Sequence, residues 1–563
     1  MSRLNNKKLR WEVKGKLKSK KEAFGKDDII KVLLENRGIK TKRSGSEFFN
    51  PTHPKDISLE KLGINKAQVR KAVNRIKKAK LKGEKVIIYG DYDADGITGT
   101  ATLWETLDAI GISVLPYLPD RFSEGYGLNG ESIKNLKEKD PNITLIISVD
   151  NGIVAYDAVT KANELGIDVI ITDHHEKERK VPEAHAIVHT IKLSGSAVAW
   201  VLAKEVRDRI KMVKGLRFGD GLDLAGIGTI ADMVPLIEAN RSFAKFGLIA
   251  LNYSKRIGLN SLFNQAQLKG GSIGAYMIGF VIAPRLNAPG RLEQGIDSLR
   301  LLCVRNESKA DDLSVKLGKI NDKRRDILND VVKSAQEKVK KEKDGKIIIL
   351  GDKKYHEGVV GLAASRLVEQ FYKPSIVISE GNKFSRASAR SISGFNIIAA
   401  IRKLKHLLEN EGGHKMAAGF TIKTKRIKEF EKEMKKLASK QITKKMLTPK
   451  LSIDLELEFS SINYVLADKL KSFEPTGVGC PKPLFLTKDV CVLNARLIGK
   501  DKDHLRLKLE KDGKVFNAVG FGMGEYYPKL GKDKNIDIAH SVEINEWNGD
   551  VNVELRLKDL KVK

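Results

Sequence analysis

The sequence predicts an α/β protein with a β-barrel at its C-terminal end. Three observations support this fold class. Short apolar runs alternate with helical segments in the first half, a second α/β segment follows a long charged helical stretch, and apolar and polar residues alternate in short segments from about Leu451 onward. Apolar runs separated by helices are typical of a parallel sheet covered on both faces, whereas strict alternation is typical of antiparallel strands with one exposed face.

Each element of this prediction has a place in the chain. The strands expected in the first α/β part are 85–89, 113–118, 143–149 and 167–172, with helices at 97–110 and 155–165. Residues 296 to about 343 are helical and heavily charged, which predicts either one long connecting helix or a pair of helices. Strands at 346–351 and 374–379 open the second α/β part, and no internal repeat is apparent.

The length of 563 residues exceeds what one hydrophobic core supports, so several domains are expected. The pattern predicts five segments, which are a basic N-terminal region 1–82, an α/β domain 83–295, connecting helices 296–344, a smaller α/β domain 345–445 and a barrel 446–563.

The net charge of +31 suggests a polyanionic partner such as nucleic acid. A lysine-rich surface that is merely solvated is the alternative. The three cysteines lie far apart, which favours a reducing cytoplasm and excludes a cysteine-rich zinc module. Neither a membrane span nor a signal peptide is predicted, because no long uncharged apolar stretch occurs and the first residues lack an apolar core.

Acidic or imidazole side chains follow each strong strand of the first α/β part. The clusters are GDYDADG at 90–96, DNG at 150–152, DHH at 173–175 and Asp232 within AGIGTIADMVP. Carboxylates gathered at one sheet edge repel each other and need a cation among them. Oxygen ligands together with imidazole nitrogen suit Mn²⁺ or Mg²⁺, and two bridged ions suit phosphoryl chemistry.

Each cluster taken alone has an ordinary alternative. GDYDADG is similar to the start of a calcium loop, but a strand precedes it and its twelfth position, counted from Asp91, is Thr102. The DNG tripeptide is typical of a turn, and Asp232 could be a helix cap. A pair of histidines is usually part of the polar surface. The occurrence of all four clusters at strand or helix ends favours a metal site.

These residues also resemble a known family. GDYDADGITGTA, SVDNGI, TDHHE and GTIADMVPL are similar, in this order, to the four motifs of the DHH phosphoesterase superfamily. APRLNAPGRL at 283–292, RASARS at 386–391 and GGHKMAAGF at 412–420 extend the resemblance to RecJ-type single-strand-specific exonucleases, from about residue 83 to 560. The resemblance implies a DHH domain, a DHH-associated domain and a C-terminal OB-like barrel.

The resemblance also implies a two-metal site that binds Mn²⁺ or Mg²⁺. Asp93 and Asp95 would each hold one ion, with Asp150 bridging the two. His174 and Asp232 would complete the shell of the second ion.

Two further residues of the same motifs would act beside the metals, and one position departs from the pattern. His175 would face the scissile phosphate or help to deliver the attacking hydroxide, and Asp173 would orient a histidine. Many relatives have a histidine four residues before the first metal-binding aspartate, where this chain has Tyr89. The first ion is therefore expected to lack one protein ligand.

Residues that match phosphate-contacting positions of the family are Arg121, Arg291, Ser388, Arg390 and His414. Guanidinium groups bind phosphate oxygens through two parallel hydrogen bonds, which supports a phosphate-binding role for the arginines. An ordinary surface salt bridge is the alternative for any one arginine.

In the OB-like barrel, His504, Arg506 and Lys508 alternate along one strand. They would contact the backbone of a single-stranded nucleic acid or, equally, form an ordinary solvated face.

The leading hypothesis is a metal-dependent 5′→3′ exonuclease that degrades single-stranded DNA to mononucleotides in repair and recombination. A helicase and a single-strand-binding protein are the expected partners, with a monomer in the cytoplasm as the working form. The alternatives are a phosphodiesterase for short oligonucleotides or cyclic dinucleotides, and a catalytically dead nucleic-acid-binding replication factor.

Overall fold

The computed structural model describes residues 9–15, 26–268, 271–341, 345–547 and 550–563. The chain divides into two compact units. The first, called here the DHH-side unit, comprises residues 41–324 and 474–481; the second, the barrel-side unit, comprises residues 1–40, 325–473 and 482–563. Among the described helices, none has the length and apolar composition needed to cross a membrane.

The strands, in chain order, are β1 Arg10–Val13, β2 Lys85–Gly90, β3 Ser113–Tyr117, β4 Ile143–Val149, β5 Asp168–Asp173, β6 Ala186–His189, β7 Ile348–Asp352, β8 Ser375–Ser379, β9 Phe384–Arg390, β10 Leu408–His414, β11 Ala417–Lys423, β12 Lys450–Ile453, β13 Leu455–Glu456, β14 Phe485–Ile498, β15 His504–Lys511, β16 Lys514–Gly520, β17 Lys534–Trp547 and β18 Asp550–Val562.

The helices are α1 Lys26–Glu35, α2 Lys42–Phe49, α3 Lys66–Lys82, α4 Ala94–Ala109, α5 Gly130–Lys139, α6 Tyr156–Glu164, α7 Gly195–Arg209, α8 Leu222–Ala231, α9 Glu238–Asn252, α10 Ile257–Gln265, α11 Ala275–Met277, α12 Ala283–Asn287, α13 Pro289–Leu292, α14 Ile296–Cys303, α15 Glu307–Lys341, α16 Val360–Phe371, α17 Ile397–Arg402, α18 Ile427–Gln441 and α19 Tyr464–Lys471. A π-helical turn at Ile278–Ile282 joins α11 to α12.

A parallel five-stranded sheet forms the centre of the DHH-side unit, in the order β3-β2-β4-β5-β6. Alternate residues of β2 enter different cores: Val86 and Ile88 pack on one face of the sheet, and Ile87 and Tyr89 on the other. Because successive side chains of a strand point to opposite faces, both faces of the sheet are covered. The predicted doubly covered parallel sheet is confirmed. β6, which has only four residues, was not predicted from the sequence.

Buried charges join the helices that stand behind this sheet. Arg256, which is fully buried, donates from Nη1 and Nη2 to the Glu105 carboxylate at 2.7 and 2.8 Å. Its Nε donates to Asp223 at 2.9 Å. The three groups connect α4 with α8, the two helices that present Asp95 and Asp232 near their ends. Removing one partner of such a buried group costs about 3–5 kcal/mol, because a charge is left unpaired.

The charged stretch before the second α/β part contains one long helix, preceded by a short one. α15 runs unbroken for 35 residues, and α14 for 8. The predicted long connecting helix is therefore confirmed. The division between the two units falls inside α15, at residues 324 and 325.

The barrel-side unit contains a second, mixed sheet in the order β10-β11-β9-β8-β7. Only β7 and β8 pair in parallel, and the remaining pairs are antiparallel. Its core includes Ile376, Phe395 and Phe430, each at most 2% exposed. The predicted fold class of this smaller domain, α/β, is thus confirmed.

The C-terminal strands form a closed barrel. The order β13-β14-β15-β16-β18-β17 closes because β14 also pairs with β17. The long strand β14 changes register in its pairings with β15 and β17, and such irregularities let one strand bend around a barrel. The predicted OB-like barrel is confirmed.

The N-terminal segment of the chain lies against this barrel. β1 pairs in parallel with β12, and the Trp11 indole donates to Asp559 Oδ2 at 2.8 Å. Farther along, Arg37 donates to the carboxylate of Asp454 at 3.0 Å. The division between units at residue 40 falls within the predicted region 1–82, whose boundary stays a prediction.

Candidate functional site

The first acidic cluster lies where β2 passes into α4. Asp93 is the N-cap of α4, and its Oδ1 accepts hydrogen bonds from Asp95 N at 2.9 Å and Gly96 N at 3.0 Å. The Asp95 carboxylate accepts from two amides at the start of α7, Gly195 N at 2.6 Å and Ser196 N at 3.0 Å. Helix N-termini favour negative charge, so the fold holds both carboxylates in fixed positions.

Asp150 follows β4 with a backbone φ of 62°, in the left-handed region that few residues other than glycine adopt. Its amide donates to Thr172 O at 2.9 Å, which ties this turn to β5. The Asp150 side chain is buried and lies beside the acidic and imidazole groups that follow β2 and β5. A strained backbone at a carboxylate in a cluster of this kind is common at functional sites.

Asp173 at the end of β5 fixes the two histidines that follow. Its Oδ1 accepts from His174 N at 2.7 Å and His175 N at 3.1 Å, and lies 2.8 Å from His175 Nδ1. Its Oδ2 accepts from Ile153 N at 2.9 Å. Because Nδ1 of His175 is engaged by the carboxylate, Nε2 is the ring atom that remains for other partners.

His174 points toward the other two acidic elements. His174 Nε2 lies 3.2 Å from Asp150 Oδ1 and 3.5 Å from Asp232 Oδ2. Asp232 stands at the C-cap of α8, so it follows a helix. The structure therefore brings together all seven residues that the sequence predicts for catalysis and metal binding, namely Asp93, Asp95, Asp150, Asp173, His174, His175 and Asp232. Their individual roles stay predictions.

The ligand atoms form three overlapping groups in which all atoms lie within 4.8 Å of one another. The groups are Asp91–Asp93–Asp150, Asp95–His174–Asp232 and Asp150–His174–His175. Asp91 was not singled out from the sequence, although it stands in the same DYDAD string. Its position gives the first group three carboxylates.

The electrostatics of these groups fit divalent cations. Burial and the carboxylates of Asp95 and Asp93 raise the pKa of Asp150 well above its usual range, and raise that of Asp232 to about 9. Asp150 Oδ1 and His174 Nε2 are buried without a hydrogen-bond partner in the described part of the chain. Buried polar atoms of this kind are rare unless a ligand binds them. Carboxylate oxygens and imidazole nitrogen are suitable ligands for Mn²⁺ or Mg²⁺.

The two histidines have opposite pKa shifts. Burial lowers the pKa of His174. Burial also lowers that of His175, but the hydrogen bond and the charge of Asp173 outweigh burial and raise it to about 9. The same hydrogen bond helps to hold the pKa of Asp173 below its usual range despite burial. His189, which was not predicted, donates from Nε2 to His175 O at 2.7 Å and supports this loop.

Two of the predicted phosphate-binding residues flank the same cluster. The Arg121 guanidinium lies 5.4 Å from the centroid of the Tyr92 ring. The positive charge of Arg291 opposes the burial that raises the pKa of Asp93 and the pKa of Tyr92.

The segment that carries Arg291 contacts the DYDAD string directly. Asn287 Oδ1 accepts from Ala94 N at 2.6 Å, and a Cβ at Gly290 would lie 2.7 Å from Tyr92 O. The glycine therefore permits an approach that a larger residue would block.

The other three predicted phosphate-binding residues belong to the mixed sheet of the barrel-side unit. Arg390 on β9 is opposite Ala417 on β11, which in turn is opposite His414 on β10. Directly opposed residues share a face, and Ser388 is on the same face because it is two residues from Arg390. Arg390 Nη1 donates to Ser388 Oγ at 3.0 Å. The structure thus gathers these three residues on one face of one sheet, in the other unit from Arg121 and Arg291.

The barrel presents a basic face with an exposed aromatic ring. His504, Arg506 and Lys508 point outward on β15, since Leu505, Leu507 and Leu509 between them are at most 1% exposed.

Two further arginines and one aromatic ring adjoin these three residues. Arg506 is opposite Arg496 of β14. Phe521 is 60% exposed, and its ring lies 5.1 Å from the His504 ring and 5.2 Å from the Arg556 guanidinium.

Three family descriptions and several known proteins match this chain. The family descriptions that match are the DHH family N-terminal domain over residues 85–227, the DHHA1 domain over residues 329–440 and the RecJ OB domain over residues 453–559. The single-stranded-DNA-specific exonuclease RecJ of Bacillus subtilis (strain 168) is 35% identical over 574 residues, which cover 99% of this chain and 71% of that protein. The chain belongs to the RecJ family.

Other RecJ proteins support the same assignment. The RecJ of Haemophilus influenzae is 32% identical, with 86% of this chain and 89% of that protein covered. The crystal structure of Thermus thermophilus RecJ in complex with Mn²⁺ matches with a TM-score of 0.82 at 26% identity, covering 98% of this chain and 79% of that one. The Mg²⁺ complex of the same RecJ matches with a TM-score of 0.74 at 25% identity.

Proposed function

We propose that this RecJ-family chain is a two-metal exonuclease that degrades single-stranded DNA from its 5′ end to mononucleotides. The observation that carries the proposal is the set of three overlapping ligand groups around Asp150 and His174. Such a set serves phosphodiester hydrolysis, since two neighbouring divalent ions suit in-line displacement at phosphorus. The names of the RecJ relatives specify single-stranded DNA as substrate.

The residues divide between two ion positions. Asp91 and Asp93 would hold one Mn²⁺ or Mg²⁺ ion, and Asp95 and Asp232 the other together with His174. Asp150 would serve both, because its carboxylate is grouped with Asp91 and Asp93 and also lies 3.2 Å from Nε2 of His174, which is the residue shared with the second ion's group. When bound, the ions supply a nucleophilic water at neutral pH and neutralise charge on the phosphate in the transition state.

The chain's own groups position the reaction. Asp173 holds His175 by Nδ1 at 2.8 Å, which directs Nε2 away from Asp173 as the contact for a phosphate oxygen. Arg121 and Arg291, beside Tyr92, bring positive charge to the same phosphate region. Ser388, Arg390 and His414, on one sheet face, would bind phosphates of the strand, including the terminal 5′ phosphate.

The barrel is proposed to bind the single strand on the face of His504, Arg506 and Lys508. Single-strand binders combine a basic groove with aromatic rings on which bases stack. The exposed Phe521 ring is available for such stacking. The match to a RecJ OB domain supports this assignment. The same match speaks against the phosphodiesterases for short oligonucleotides, which typically lack an appended barrel.

The wider context is also a proposal. We infer action in DNA repair and recombination in the cytoplasm, as a monomer, together with a helicase and a single-strand-binding protein. We likewise keep the five segments 1–82, 83–295, 296–344, 345–445 and 446–563 as proposed domain boundaries.

The test compares strands labelled at either end. Single-stranded DNA with a 5′ or a 3′ label, duplex DNA and RNA are each incubated with Mn²⁺, Mg²⁺ or EDTA. We expect early release of the 5′ label from single-stranded DNA as a mononucleotide. This release should require Mn²⁺ or Mg²⁺ and should not occur in EDTA. Release in EDTA, or early release of the 3′ label, would contradict the proposal.

A pair of variants separates the site from the rest of the fold. Asp150→Ala removes the carboxylate common to two groups and should lower the rate by roughly 10²- to 10³-fold or more, as loss of a group that stabilises the transition state does. Asp157→Ala, at an exposed aspartate in the first turn of α6, is the matched control and should retain the wild-type rate. Full activity of Asp150→Ala would refute the mechanism and favour a different site.

A further inference from the structure

Tyr89 is the last side chain of β2 before the acidic cluster, and its hydroxyl bonds to the loop that follows β3. The residue is fully buried and donates from its hydroxyl to Gly127 O at 3.2 Å. Its ring lies 5.1 Å from the Tyr117 ring on the neighbouring strand.

The acceptor belongs to the loop between β3 and α5, residues 118–129, called here the β3–α5 loop. At its centre, Glu124 accepts hydrogen bonds from the Tyr117 hydroxyl, from Ser132 Oγ at 2.6 Å and from Asp120 N at 2.6 Å. Asn129 Nδ2 donates to Glu124 O at 2.7 Å. The carboxylate of Glu124 therefore fixes the middle of the loop to β3 and α5, whereas Gly127 accepts the Tyr89 hydrogen bond next to Leu128, which is buried in the same core as Tyr89.

The part of the loop next to Gly127 reaches the candidate active site. Tyr126 is 58% exposed, and its hydroxyl lies 3.4 Å from His175 Nε2. The Tyr126 and Tyr92 rings meet edge to face at 6.2 Å. Arg121, earlier in the same loop, lies over Tyr92. Gly127 has a φ of +74° and a Cβ there would lie 3.7 Å from Asn151, so the chain turns sharply beside the site.

We propose that Tyr89 is a positioning residue for substrate binding: its hydroxyl holds the β3–α5 loop so that Tyr126 and Arg121 line the active site, and it takes no part in metal binding. In this chain the position four residues before Asp93 thus serves the substrate side of the reaction. The three carboxylates of Asp91, Asp93 and Asp150 form the first metal group without it. The inference rests on the proposed exonuclease function for its kinetic consequences, but the positioning of the loop is independent of it.

Tyr89→Phe removes the hydroxyl alone and keeps the buried ring. The loss of one hydrogen bond corresponds to roughly a two- to tenfold change in the population of the ordered loop. Hydrogen exchange of peptides within 118–129 should be faster by about that factor in the variant, while peptides from β4 exchange as in the wild type. Tyr253→Phe, at a tyrosine that is 82% exposed, is the matched control and should change neither. Unchanged exchange of the loop in Tyr89→Phe would overturn the inference, whatever the enzyme's activity.

Kinetics and metal binding give two further readouts. Tyr89→Phe should raise KM for 5′-phosphorylated single strands roughly two- to tenfold, lower kcat much less, and leave the Mn²⁺ affinity and stoichiometry measured by calorimetry unchanged. In a Tyr126→Ala background it should add little to KM, because both changes act through the same loop. A fall in Mn²⁺ affinity, or an additive effect on KM, would overturn the inference. An inactive wild type would instead refute the proposed function and leave the exchange result to decide on Tyr89.

Discussion

The buried histidine of the barrel makes the stability of this domain dependent on pH. His540 on β17 is fully buried; its Nε2 lies 2.8 Å from Thr487 Oγ1, and its Nδ1 has no hydrogen-bond partner in the described part of the chain. Burial penalises the charged imidazolium and lowers the pKa of His540 from 6.5 to about 4.

The direction of the effect follows from linkage. The unfolded chain binds a proton at His540 below pH 6.5, whereas the folded barrel does so only near pH 4. The barrel is therefore most stable above pH 6.5 and loses stability as the pH falls toward 4, by about 1.4 kcal/mol per pH unit within that interval. Between pH 7.5 and pH 5 the loss that belongs to this one group is about 2 kcal/mol.

The assay must report on the barrel within the full chain, since a protein with two units does not unfold as a single transition. We would follow urea-dependent hydrogen exchange of peptides from β14 and β17 at the two pH values. His540→Gln lacks the titrating group and should lose about 2 kcal/mol less than the wild type over this interval. His406→Gln, an exposed histidine outside the barrel, should behave as the wild type. Equal losses in the wild type and His540→Gln would refute the reasoning.

Two further predictions concern the metal site and the barrel face. Gly228→Ala should weaken Mn²⁺ binding by about 10- to 100-fold in calorimetry, because its Cβ would lie 2.1 Å from Ser196 Oγ and 2.5 Å from Asp95 Oδ1 and would displace one or both. Gly215→Ala, with open space around it, should bind Mn²⁺ normally. Normal binding by the first variant would contradict the expectation that Asp95 binds the metal from a fixed position. Arg506→Ala should make the salt dependence of single-strand binding shallower by about 0.7 in log–log slope. Lys432→Ala, at an exposed lysine of α18, is the control and should leave this slope unchanged. An unchanged slope in Arg506→Ala would assign binding to another surface.

The sequence predicted the sheet that carries the site because its strands are uninterrupted apolar runs. β4 was predicted at 143–149 and is observed at Ile143–Val149. Parallel strands end at one edge, so the side chains that follow them had to lie close together. β6 escaped prediction because four residues are too few for a recognisable pattern.

The features that could not be predicted depend on contacts distant in sequence. Asp91 looked like one of several acidic residues in a string, and only the turn after β2 places its carboxylate beside that of Asp150. The amide donors to Asp95 come from residues 100 or more positions away at the start of α7. The hydroxyl of Tyr89 finds its acceptor 38 residues downstream. Local periodicity carries no information on such pairings.

The carboxylates of the site fall into two classes, and the division explains how the fold can gather so many of them. Asp93 and Asp173 accept two or more backbone amides each, which offsets the cost of burying their charge. Asp150 has a buried oxygen with no such donor, and Asp232 has its pKa raised to about 9. The first class is satisfied by the fold and supplies geometry. In the second class, Asp150 Oδ1 has no hydrogen-bond donor in the described part of the chain, so a divalent cation held there, as we propose, would bind without breaking a hydrogen bond.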